Sequence, residues 1–380
     1  MKTYINRAIR QIFLNKLQPN KVLVLLGARR VGKTQFLRNL ADNYLDEPYL
    51  FLNGEDISTS AVLNERTIAN YQRLLGDKKL LIIDEAQKIP EIGLNLKLMV
   101  DNIEGIKIIV TGSSVFDMTN KLGEPLTGRK YTFHLYPFSQ MELSKYENLI
   151  QTKANLEERL IYGSYPEVIN LESNNEKSAY LNEIVNSYLL KDILEIDGVR
   201  NSDKMLNLLR LVAFQIGKEV SLEELGKQLG LSRNTVERYL DLLSKVFVLY
   251  KVSGFSRNLR NEITKTSRWY FYDNGIRNVL TTNFNPVSIR NDIGELWENY
   301  LLSERIKSQH YNEMLVNNYF WRTYQQQEID WIEEREGKLH AYEIKWSDRK
   351  KPKVPSAWIK AYPDSSYNVI TPENYLEWIE

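Results

Sequence analysis

The segment at residues 21–34, KVLVLLGARRVGKT, has the residue types and the spacing of a loop that binds phosphate groups. Its first part, residues 22–26, is an apolar run typical of a buried β-strand, and a helical pattern follows the loop. Gly27 and Gly32 enclose four residues and are followed by Lys and Thr, which completes the G-x-x-x-x-G-K-[ST] spacing. The glycines let backbone N–H groups approach phosphate oxygens at the N-terminus of a helix. The segment therefore predicts a nucleotide site.

Lys33, Thr34 and an acidic pair farther along the chain provide the charges and oxygen ligands that such a site needs. Lys33 would neutralise the β- and γ-phosphates, and the Thr34 hydroxyl would bind Mg²⁺. A second apolar run, residues 80–83, ends in Asp84 and Glu85, and the carboxyl end of a strand is where an open parallel sheet places its ligand chemistry. We expect Asp84 to hold Mg²⁺ directly or through water, and Glu85 to orient the attacking water as a base.

Hydroxyl groups and one arginine follow the next predicted strand, residues 106–114. One of Thr111, Ser113 and Ser114 is expected to contact the γ-phosphate; the spacing does not distinguish them, and Ser113 is taken as the candidate. Arg129, in LTGRK, could reach the γ-phosphate, and such arginines, often supplied by a neighbouring subunit, are worth roughly 10³–10⁵ in kcat. Action on a neighbouring subunit would require an oligomer, whereas a surface charge or a paired structural cation would not.

A sheet must position these residues, and five apolar segments supply its strands. Besides the three above, strands are expected at residues 49–53 and 130–139, and helical patterns separate most of the five. The expected fold is therefore a doubly wound α/β sheet. Residues 140–205 are predicted to form a helical lid or linker, interrupted by a turn at Gly163 and Pro166.

The segment at residues 219–252 has the pattern of a helix-turn-helix. Ser221 followed by Glu224 predicts a capping box, Gly230 ends the first helix, and Ser232 can cap the second. The β-rich segments KVFVLYKV and RWYFYD come next and would complete a winged helix.

Basic side chains and one amide on the second helix and on the wing would face DNA if the module binds DNA. They are Arg233, Asn234 and Arg238 on the helix and Arg257, Arg260, Lys265 and Arg268 on the wing. Contacts of this kind would be made mainly to phosphates, sensitive to salt and weakly dependent on sequence. The alternative is that the module packs against protein and that its charged side chains are solvated.

Two strand patterns near the C-terminus, EIDWI and HAYEIKW, bring acidic residues together. Gly337 supplies a turn between them, so an antiparallel pair could place Asp330 close to Glu343. Two carboxylates ~4 Å apart repel by about 4 kcal/mol at an effective dielectric constant of ~20, so a cation must offset them. That cation could be a divalent metal, with Lys345 positioning a water or a phosphate for phosphodiester cleavage. In an ordinary surface hairpin, Lys345 alone would pair with an acid.

A helical segment upstream, residues 294–304, could add a carboxylate from Glu298 or Glu295. A helix followed by Asp…Glu-x-Lys matches the arrangement of the PD-(D/E)XK nuclease-like fold. The possible nuclease site is therefore Glu298 with Asp330, Glu343 and Lys345.

The composition limits which metals the protein could bind and predicts no membrane-spanning helix. The chain has 380 residues, no cysteine, three histidines and a net charge of +1. Disulfides and thiolate metal sites are excluded, and any metal would be held by carboxylates, which favours Mg²⁺ or Mn²⁺. No apolar run approaches the ~20 residues needed to span a bilayer, so we expect a cytoplasmic protein with no membrane contact.

Taken along its whole length, the chain resembles a family of bacterial and archaeal AAA-type ATPases that carry a C-terminal domain of unknown function. The segments that carry the resemblance are GARRVGKT, LLIIDEAQKIP, IIVTGSS, LTGRK, LYPFS, YGSYPEVI, YLLKDI, FYDNGIRNVL, GELWENYLLSE, FWRTYQQQEIDWI and YEIKW. The family pattern would place Pro at Ala28 and Ile at Ala86; neither position carries chemistry.

The resemblance implies ATP and Mg²⁺ as cofactors, with Mg²⁺ at Thr34 and Asp84. The residues implied to surround the nucleotide are Gly27, Ala28, Arg29, Arg30, Val31, Gly32, Lys33, Thr34 and Asp84. Apart from the resemblance, the residue types and their positions give Lys33, Glu85, Ser113 and Arg129 as the candidates for hydrolysis. Four parts are expected: an AAA-type ATPase domain (1–140), a helical lid or linker (141–205), a winged helix-turn-helix (206–280) and a nuclease-like domain (281–380).

We therefore predict an ATP-hydrolysing switch or motor that acts on DNA through its winged helix and its C-terminal domain. One alternative is an ATP-gated DNA nuclease. Another is a nucleotide-dependent protein–protein switch that binds no nucleic acid. Homo-oligomer formation is left open.

Overall fold

Two β-sheets organise the protein in the computed structural model, which describes residues 4–113, 126–189, 202–257, 266–347 and 352–380. The first sheet is parallel and has the strand order β2-β3-β4-β1-β5. Its strands are β1 (Lys21–Leu26), β2 (Tyr49–Asn53), β3 (Leu80–Asp84), β4 (Lys107–Gly112) and β5 (Lys130–His134). Its helices are α1 (Arg10–Asn15), α2 (Lys33–Tyr44), α3 (Ile57–Asn64), α4 (Ile68–Leu75) and α5 (Ile92–Asn102).

The predicted α/β fold with a parallel sheet is confirmed for this part of the chain. Every residue of β3 is buried, and successive residues of a strand face opposite sides, so both faces of the sheet are covered. The fifth strand is shorter than predicted and ends at His134 instead of residue 139. Its partner β1 ends at Leu26 and turns into the phosphate-loop segment, so ladder pairing stops once the Leu135 N–H has reached the Leu26 carbonyl.

A helical region follows the first sheet, as predicted for residues 140–205 where the structure describes them. Its helices are α6 (Gln140–Leu143), α7 (Leu149–Ala154), α8 (Leu156–Tyr162), α9 (Pro166–Asn170), α10 (Asn174–Glu183), a π-helical turn (Ile184–Leu189) and α11 (Ser202–Phe214). The predicted turn at Gly163 and Pro166 separates α8 from α9. Pro166 lies beside the phosphate-loop segment, 3.9 Å from where a Cβ on Gly32 would stand.

The helix-turn-helix pair forms α12 (Leu222–Leu229) and α13 (Arg233–Lys245). The Ser221 hydroxyl accepts a hydrogen bond from the Glu224 N–H, and the Ser232 hydroxyl accepts one from the Thr235 N–H. Gly230 ends α12 in the left-handed conformation. The strands expected next are β6 (Leu249–Gly254) and β7 (Ser267–Phe271), which pair antiparallel.

The second sheet joins this hairpin to the C-terminal part of the chain. Its order is β11-β10-β9-β8-β6-β7, with β8 (Asn317–Arg322), β9 (Glu328–Arg335), β10 (Lys338–Ile344) and β11 (Ser366–Ile370). Strand β6 pairs parallel with β8 at Ser253–Tyr319 and Gly254–Phe320. The sheet therefore crosses the predicted domain boundary at 280/281.

One long helix lies between the two halves of the protein. The C-terminal helices are α14 (Asn274–Leu280), α15 (Ile293–Tyr311), α16 (Ser356–Ala361) and α17 (Tyr375–Ile379). Most residues of the 19-residue α15 are buried, so it is covered on nearly all sides. The main hydrophobic core extends from the first sheet through the helical region to α15, and a smaller core lies around Trp321 and Trp358. Within the described ranges, no helix combines the length and apolar character required to cross a bilayer.

Candidate functional site

The segment after β1 forms a tight loop against the end of β5. A Cβ on Gly27 would lie 2.1 Å from the Leu135 carbonyl oxygen, so only glycine fits there. Gly32 has a φ of +94°, in the left-handed region that glycine adopts without strain, and Arg30 has a φ of +66°. Val31 is fully buried, which fixes the middle of the loop. These features form a tight loop at the N-terminus of α2, where the sequence predicts a cradle for phosphate groups.

Lys33 is 5% exposed, and its ammonium group lies over the loop backbone. It donates hydrogen bonds to the carbonyl oxygens of Gly27, at 2.8 Å, and Ala28, at 3.0 Å. Both acceptors are neutral backbone groups that belong to the loop itself. Phosphate oxygens carry negative charge and would be stronger acceptors, because Coulomb attraction between two opposite charges would add to a hydrogen bond in which only the ammonium is charged. The lysine is therefore placed to transfer to an anion that enters the loop.

Thr34 and Asp84 are brought together as predicted, although 50 residues separate them. The Thr34 hydroxyl donates to Asp84 Oδ2 at 2.6 Å, and the Thr111 hydroxyl donates to Asp84 Oδ1 at 2.5 Å. Mg²⁺ requires oxygen ligands and takes only one or two from protein when phosphates and waters supply the rest. The paired oxygens of Thr34 and Asp84 fit that requirement. Thr111, one of the three sensor candidates, is occupied in holding Asp84.

Glu85 follows Asp84 with a φ of +52°, in the left-handed region that residues other than glycine adopt infrequently. Its N–H donates to the Thr111 hydroxyl at 2.9 Å. Its carboxylate accepts a hydrogen bond from Gln87 Nε2 at 2.5 Å, and the same amide nitrogen lies 3.2 Å from the Ser113 hydroxyl. Gln87 thus links the predicted base to the sensor candidate Ser113. The third sensor candidate, Ser114, lies outside the described residues.

Gln87 was missed by sequence analysis. It is 5% exposed and belongs to a 3₁₀ turn, Ala86–Lys88, that returns its side chain toward Glu85. The signal for it is weak, because an acid followed two residues later by an amide is common in surface turns. Only the turn geometry places the amide against the carboxylate.

The two loop arginines differ in their surroundings. Arg29 is half-buried, while Arg30 is exposed and lines a cleft of about 370 Å³ together with Glu167, Glu176 and Glu183 of the helical region. Acidic side chains therefore lie close to Arg30. Its predicted contact with phosphate stays a prediction.

Arg129 lies at the opposite edge of the first sheet from the phosphate loop. Its carbonyl oxygen accepts a hydrogen bond from the N–H of Val22, at the start of β1, and its Nε lies 2.7 Å from Asp101 Oδ1. The loop begins five residues after Val22, which at ~3.3 Å per residue is roughly 16 Å away. Arg129 is thus distant from its own nucleotide site, and a finger role would depend on a neighbouring subunit.

The predicted C-terminal cluster is also assembled. Strands β9 and β10 are antiparallel with Trp331 opposite Tyr342, so the next pair along is Asp330 and Glu343. Lys345 Nζ lies 2.6 Å from Glu343 Oε1 and 3.6 Å from Asp330 Oδ2. Glu298, on α15, lines the same cavity of about 540 Å³ as Asp330 and Lys345.

Arg268 was predicted to reach DNA from the wing, and this prediction is wrong. It is 5% exposed, and its Nη2 lies 2.9 Å from Glu328 Oε2. Its Nη1 lies 4.0 Å from both Glu298 Oε1 and Asp330 Oδ1, and its guanidinium stacks 4.5 Å from the centre of the Phe320 ring. Because β7 belongs to the second sheet, its inward side chains point into the cavity and not toward solvent.

Burial changes the protonation of this cluster. Burial, with the charge of Asp330 added, raises the pKa of Glu298 to about 8 and that of Glu343 to about 7. Glu343 is 8% exposed, and its Oε2 has no hydrogen-bond partner. Across the described ranges, no three acidic or histidine side chains are grouped so that they could hold a metal ion. Arg268 and Lys345 supply positive charge where the nuclease hypothesis requires a metal.

Side chains on the outer face of α13 have mixed charge. Arg233 Nε lies 3.0 Å from Glu223 Oε1, with both side chains largely exposed. Asn234 and Arg238 line a cleft of about 500 Å³ that also contains Glu237 and Asp241. In the wing, Arg257 pairs with Glu334 at 2.9 Å, while Arg260 and Lys265 lie outside the described residues.

The fold and the loop define the class of the first part of this chain: it is a P-loop ATPase-like domain of the AAA type. Residues 19–144 match the family described as AAA domain. Residues 153–287 match a domain of unknown function (DUF8612), and residues 293–378 match another (DUF4143).

Similar proteins from distant organisms are described as uncharacterised. A protein of Mycobacterium tuberculosis is 25% identical over 331 residues, covering 85% of this chain and 70% of its own length. One of Haemophilus influenzae is 25% identical over 323 residues, covering 78% and 75%. One of Methanocaldococcus jannaschii is 24% identical over 259 residues, covering 63% of this chain but only 58% of its own length.

Similar solved structures include AMPPCP-bound DnaA from Aquifex aeolicus, at 16% identity and a TM-score of 0.30, with 62% of this chain and 85% of that chain covered. Drosophila ORC bound to DNA matches at 14% identity and a TM-score of 0.26, with 66% and 86% covered.

Proposed function

We propose that this protein binds ATP with Mg²⁺ and hydrolyses it, acting as a switch or motor. The observation that carries the proposal is the geometry at the end of β1 and β3. The Lys33 ammonium lies 2.8–3.0 Å from two loop carbonyl oxygens, and the next residue, Thr34, has its hydroxyl hydrogen-bonded to the Asp84 carboxylate. An unrelated glycine turn would require none of these contacts.

Each side chain has a distinct part in the proposed reaction. The loop N–H groups and Lys33 bind the β- and γ-phosphates, and Thr34 and Asp84 hold Mg²⁺, which neutralises charge on the phosphate oxygens. Glu85 accepts a hydrogen bond from the attacking water and aims it at the γ-phosphorus. Gln87 orients the Glu85 carboxylate and connects it to Ser113.

We further propose DNA as the partner of the C-terminal half. The helix pair α12–α13, with exposed Arg233, Asn234 and Arg238, supports this role. Glu237 and Asp241 lie on the same face and repel the phosphate backbone of DNA. We therefore expect DNA binding to be weak and strongly reduced by salt. In this proposal the C-terminal domain is nuclease-like in arrangement but binds more than it cuts, because Arg268 and Lys345 already pair with its acids.

Two alternatives remain as competing hypotheses. An ATP-gated nuclease is favoured by one observation, the buried and unpartnered Glu343 Oε2 beside Asp330 and Lys345. A protein–protein switch is favoured by the mixed charge of the α13 face.

ATP turnover by the full chain tests the proposal. Phosphate release is measured for wild type, Lys33→Ala and, as a matched control, Lys97→Ala, which removes an exposed lysine from α5. We expect turnover that depends on Mg²⁺, is lost in Lys33→Ala and persists in Lys97→Ala. Wild type that neither binds nor hydrolyses ATP would refute the proposal.

A further inference from the structure

We propose that Arg7 is a positioning residue of the nucleotide site: it fixes the orientation of a loop peptide whose N–H faces the phosphates. The inference rests on the proposed ATP binding. Arg7 precedes the first sheet and is not part of the loop sequence. Its side chain nevertheless ends against the loop backbone, with only 5% of the residue exposed.

The guanidinium of Arg7 makes four hydrogen bonds in this buried position. Nη1 donates to the Val31 carbonyl at 3.0 Å, inside the loop. Nη2 donates to the Tyr136 carbonyl at 2.5 Å and to the Tyr311 hydroxyl at 3.3 Å. Nε donates to Glu142 Oε1 at 2.9 Å, which balances the charge. A planar fork with several donors can hold separate backbone groups in fixed directions, which a lysine ammonium does less well.

The bond to Val31 matters because a peptide unit is planar. In a trans peptide the C=O of one residue and the N–H of the next point in opposite directions. The Val31 carbonyl faces Arg7, so the Gly32 N–H points away from Arg7. That N–H is among the donors that cradle phosphate at the start of α2. Arg7 therefore sets the direction of a donor that it does not touch.

Glu142 and Tyr311 hold Arg7 in turn. The two Glu142 oxygens accept hydrogen bonds from the N–H groups of Ala8 and Ser139, each at 2.8 Å. Tyr311 is the last residue of α15, and its hydroxyl also accepts a hydrogen bond from the Tyr136 N–H at 3.3 Å. Through these bonds the orientation of the loop is tied to the end of the long helix that carries Glu298 at its other end.

Arg159 provides a matched control for the loss of a buried cation. Its side chain is 3% exposed, as is that of Arg7, and it pairs with Glu147 in the helical region. It also donates a hydrogen bond to Gln140, so both of these partners belong to the helical region and not to the loop. Replacing either arginine with methionine removes one buried ion pair, and only Arg7→Met removes a bond to Val31.

The experiment measures the affinity of the full-length protein for ATP directly and for adenosine as a competitor of ATP. Arg7→Met is expected to weaken ATP binding about tenfold and to leave adenosine binding within twofold, because only phosphate contacts are lost. Arg159→Met is expected to leave both unchanged. Equal ATP affinity in folded Arg7→Met, or parallel loss of ATP and adenosine, would overturn the inference.

Arg7→Lys and Tyr311→Phe decide the matter if Arg7→Met does not fold. Both variants keep most of the packing, and each removes some of the hydrogen bonds of the Arg7 guanidinium. We expect each to weaken ATP binding at least threefold with adenosine unaffected, and unchanged ATP affinity in both would overturn the inference. Failure of wild type itself to bind ATP would instead refute the proposed function, so the two failures are distinguishable.

Discussion

The phosphate loop and the C-terminal carboxylate cluster are both assembled from residues predicted by sequence, yet they differ in how their charges are balanced. At the loop, the Lys33 ammonium lies against neutral carbonyl oxygens that a phosphate can replace. At the cluster, Asp330 lies within 4.0 Å of both Arg268 and Lys345. The described hydrogen bonds of Lys33 run to uncharged oxygens, while Asp330 lies beside two cations of the chain.

The difference teaches that bringing motif residues together is not sufficient to define a metal site. A divalent cation at the cluster would have to compete with a guanidinium that is covalently part of the chain. At the loop, the bonds from Lys33 to Gly27 and Ala28 run to neutral carbonyl oxygens. The four predictions below test each side of this comparison, in order of expected effect.

Glu85→Gln tests the nucleotide side most strongly. The change removes the base but keeps the shape, so kcat for ATP hydrolysis should fall by roughly 10²–10⁴ while ATP binding stays within a few-fold. Gln87→Ala should give a smaller fall in kcat, because the carboxylate remains but is no longer oriented. Phosphate release and equilibrium binding measure the two quantities. A Glu85→Gln enzyme with wild-type turnover would show that another residue acts on the water.

Arg268→Met tests the carboxylate side. Removing a cation 4.0 Å from Asp330 and Glu298 should strengthen Mn²⁺ binding at the cluster by up to roughly 10³-fold, given about 4 kcal/mol for such a pair at an effective dielectric constant of ~20. Electron paramagnetic resonance without nucleotide measures free Mn²⁺. Arg257→Met, on the same hairpin and paired at the surface, is the control.

Equal Mn²⁺ affinity in wild type and Arg268→Met would refute the idea that the arginine excludes a metal. Plasmid cleavage that appears only in Arg268→Met with Mn²⁺, and disappears when Asp330→Ala is added, would support the nuclease alternative.

The pH dependence of stability tests the same cluster without added metal. Glu298 has a folded pKa of about 8 against an ordinary value of 4.5, so between these values the folded state binds more protons than the unfolded state. Stability should therefore fall as pH rises from about 5 to 8. Glu298→Gln should remove part of this fall, on the order of 1–2 kcal/mol. Urea unfolding at several pH values measures it, and identical slopes for both proteins would contradict the assignment.

Arg233→Ala tests the proposed DNA contact and has the smallest expected effect. Arg233 is paired with Glu223, which partly neutralises its charge, so affinity for nonspecific duplex DNA should fall by only about threefold. The slope of log affinity against log salt concentration should decrease by less than ~1. Arg210→Ala, an exposed arginine on α11, is the control. Wild type with no salt-dependent DNA binding, with or without ATP, would favour the protein–protein switch.

Sequence analysis succeeded where a pattern is local. The loop and the ends of β3 and β4 were identified because each lies within a short segment whose glycines, apolar residues and acids follow one another directly. The pairing of Asp330 with Glu343 was also predictable, since a two-residue turn at Glu336 and Gly337 fixes the register of the hairpin.

Sequence analysis did not predict the charged side chains whose partners lie far away in the sequence. Arg268 lies 60 residues before its partner Glu328, and Arg7 lies 135 residues before Glu142. Strand periodicity predicts which residues of β7 share the sheet face of Arg268. It does not predict that β6 pairs with β8, which places that face toward the cavity. For Arg7, the surrounding sequence has no pattern that distinguishes a buried arginine from a solvated one.

The parallel pairing of β6 with β8 has a consequence for the order in which the protein can be made. The two strands meet at Ser253–Tyr319, so roughly 65 residues must be synthesised before the free edge of β6 finds its partner. At ~5–20 residues per second, that interval lasts roughly 3–13 s. During it the nascent hairpin presents an unsatisfied strand edge, a surface that invites association with other chains. The second half of this protein is therefore expected to depend on shielding during translation, while the parallel sheet before it can already be complete.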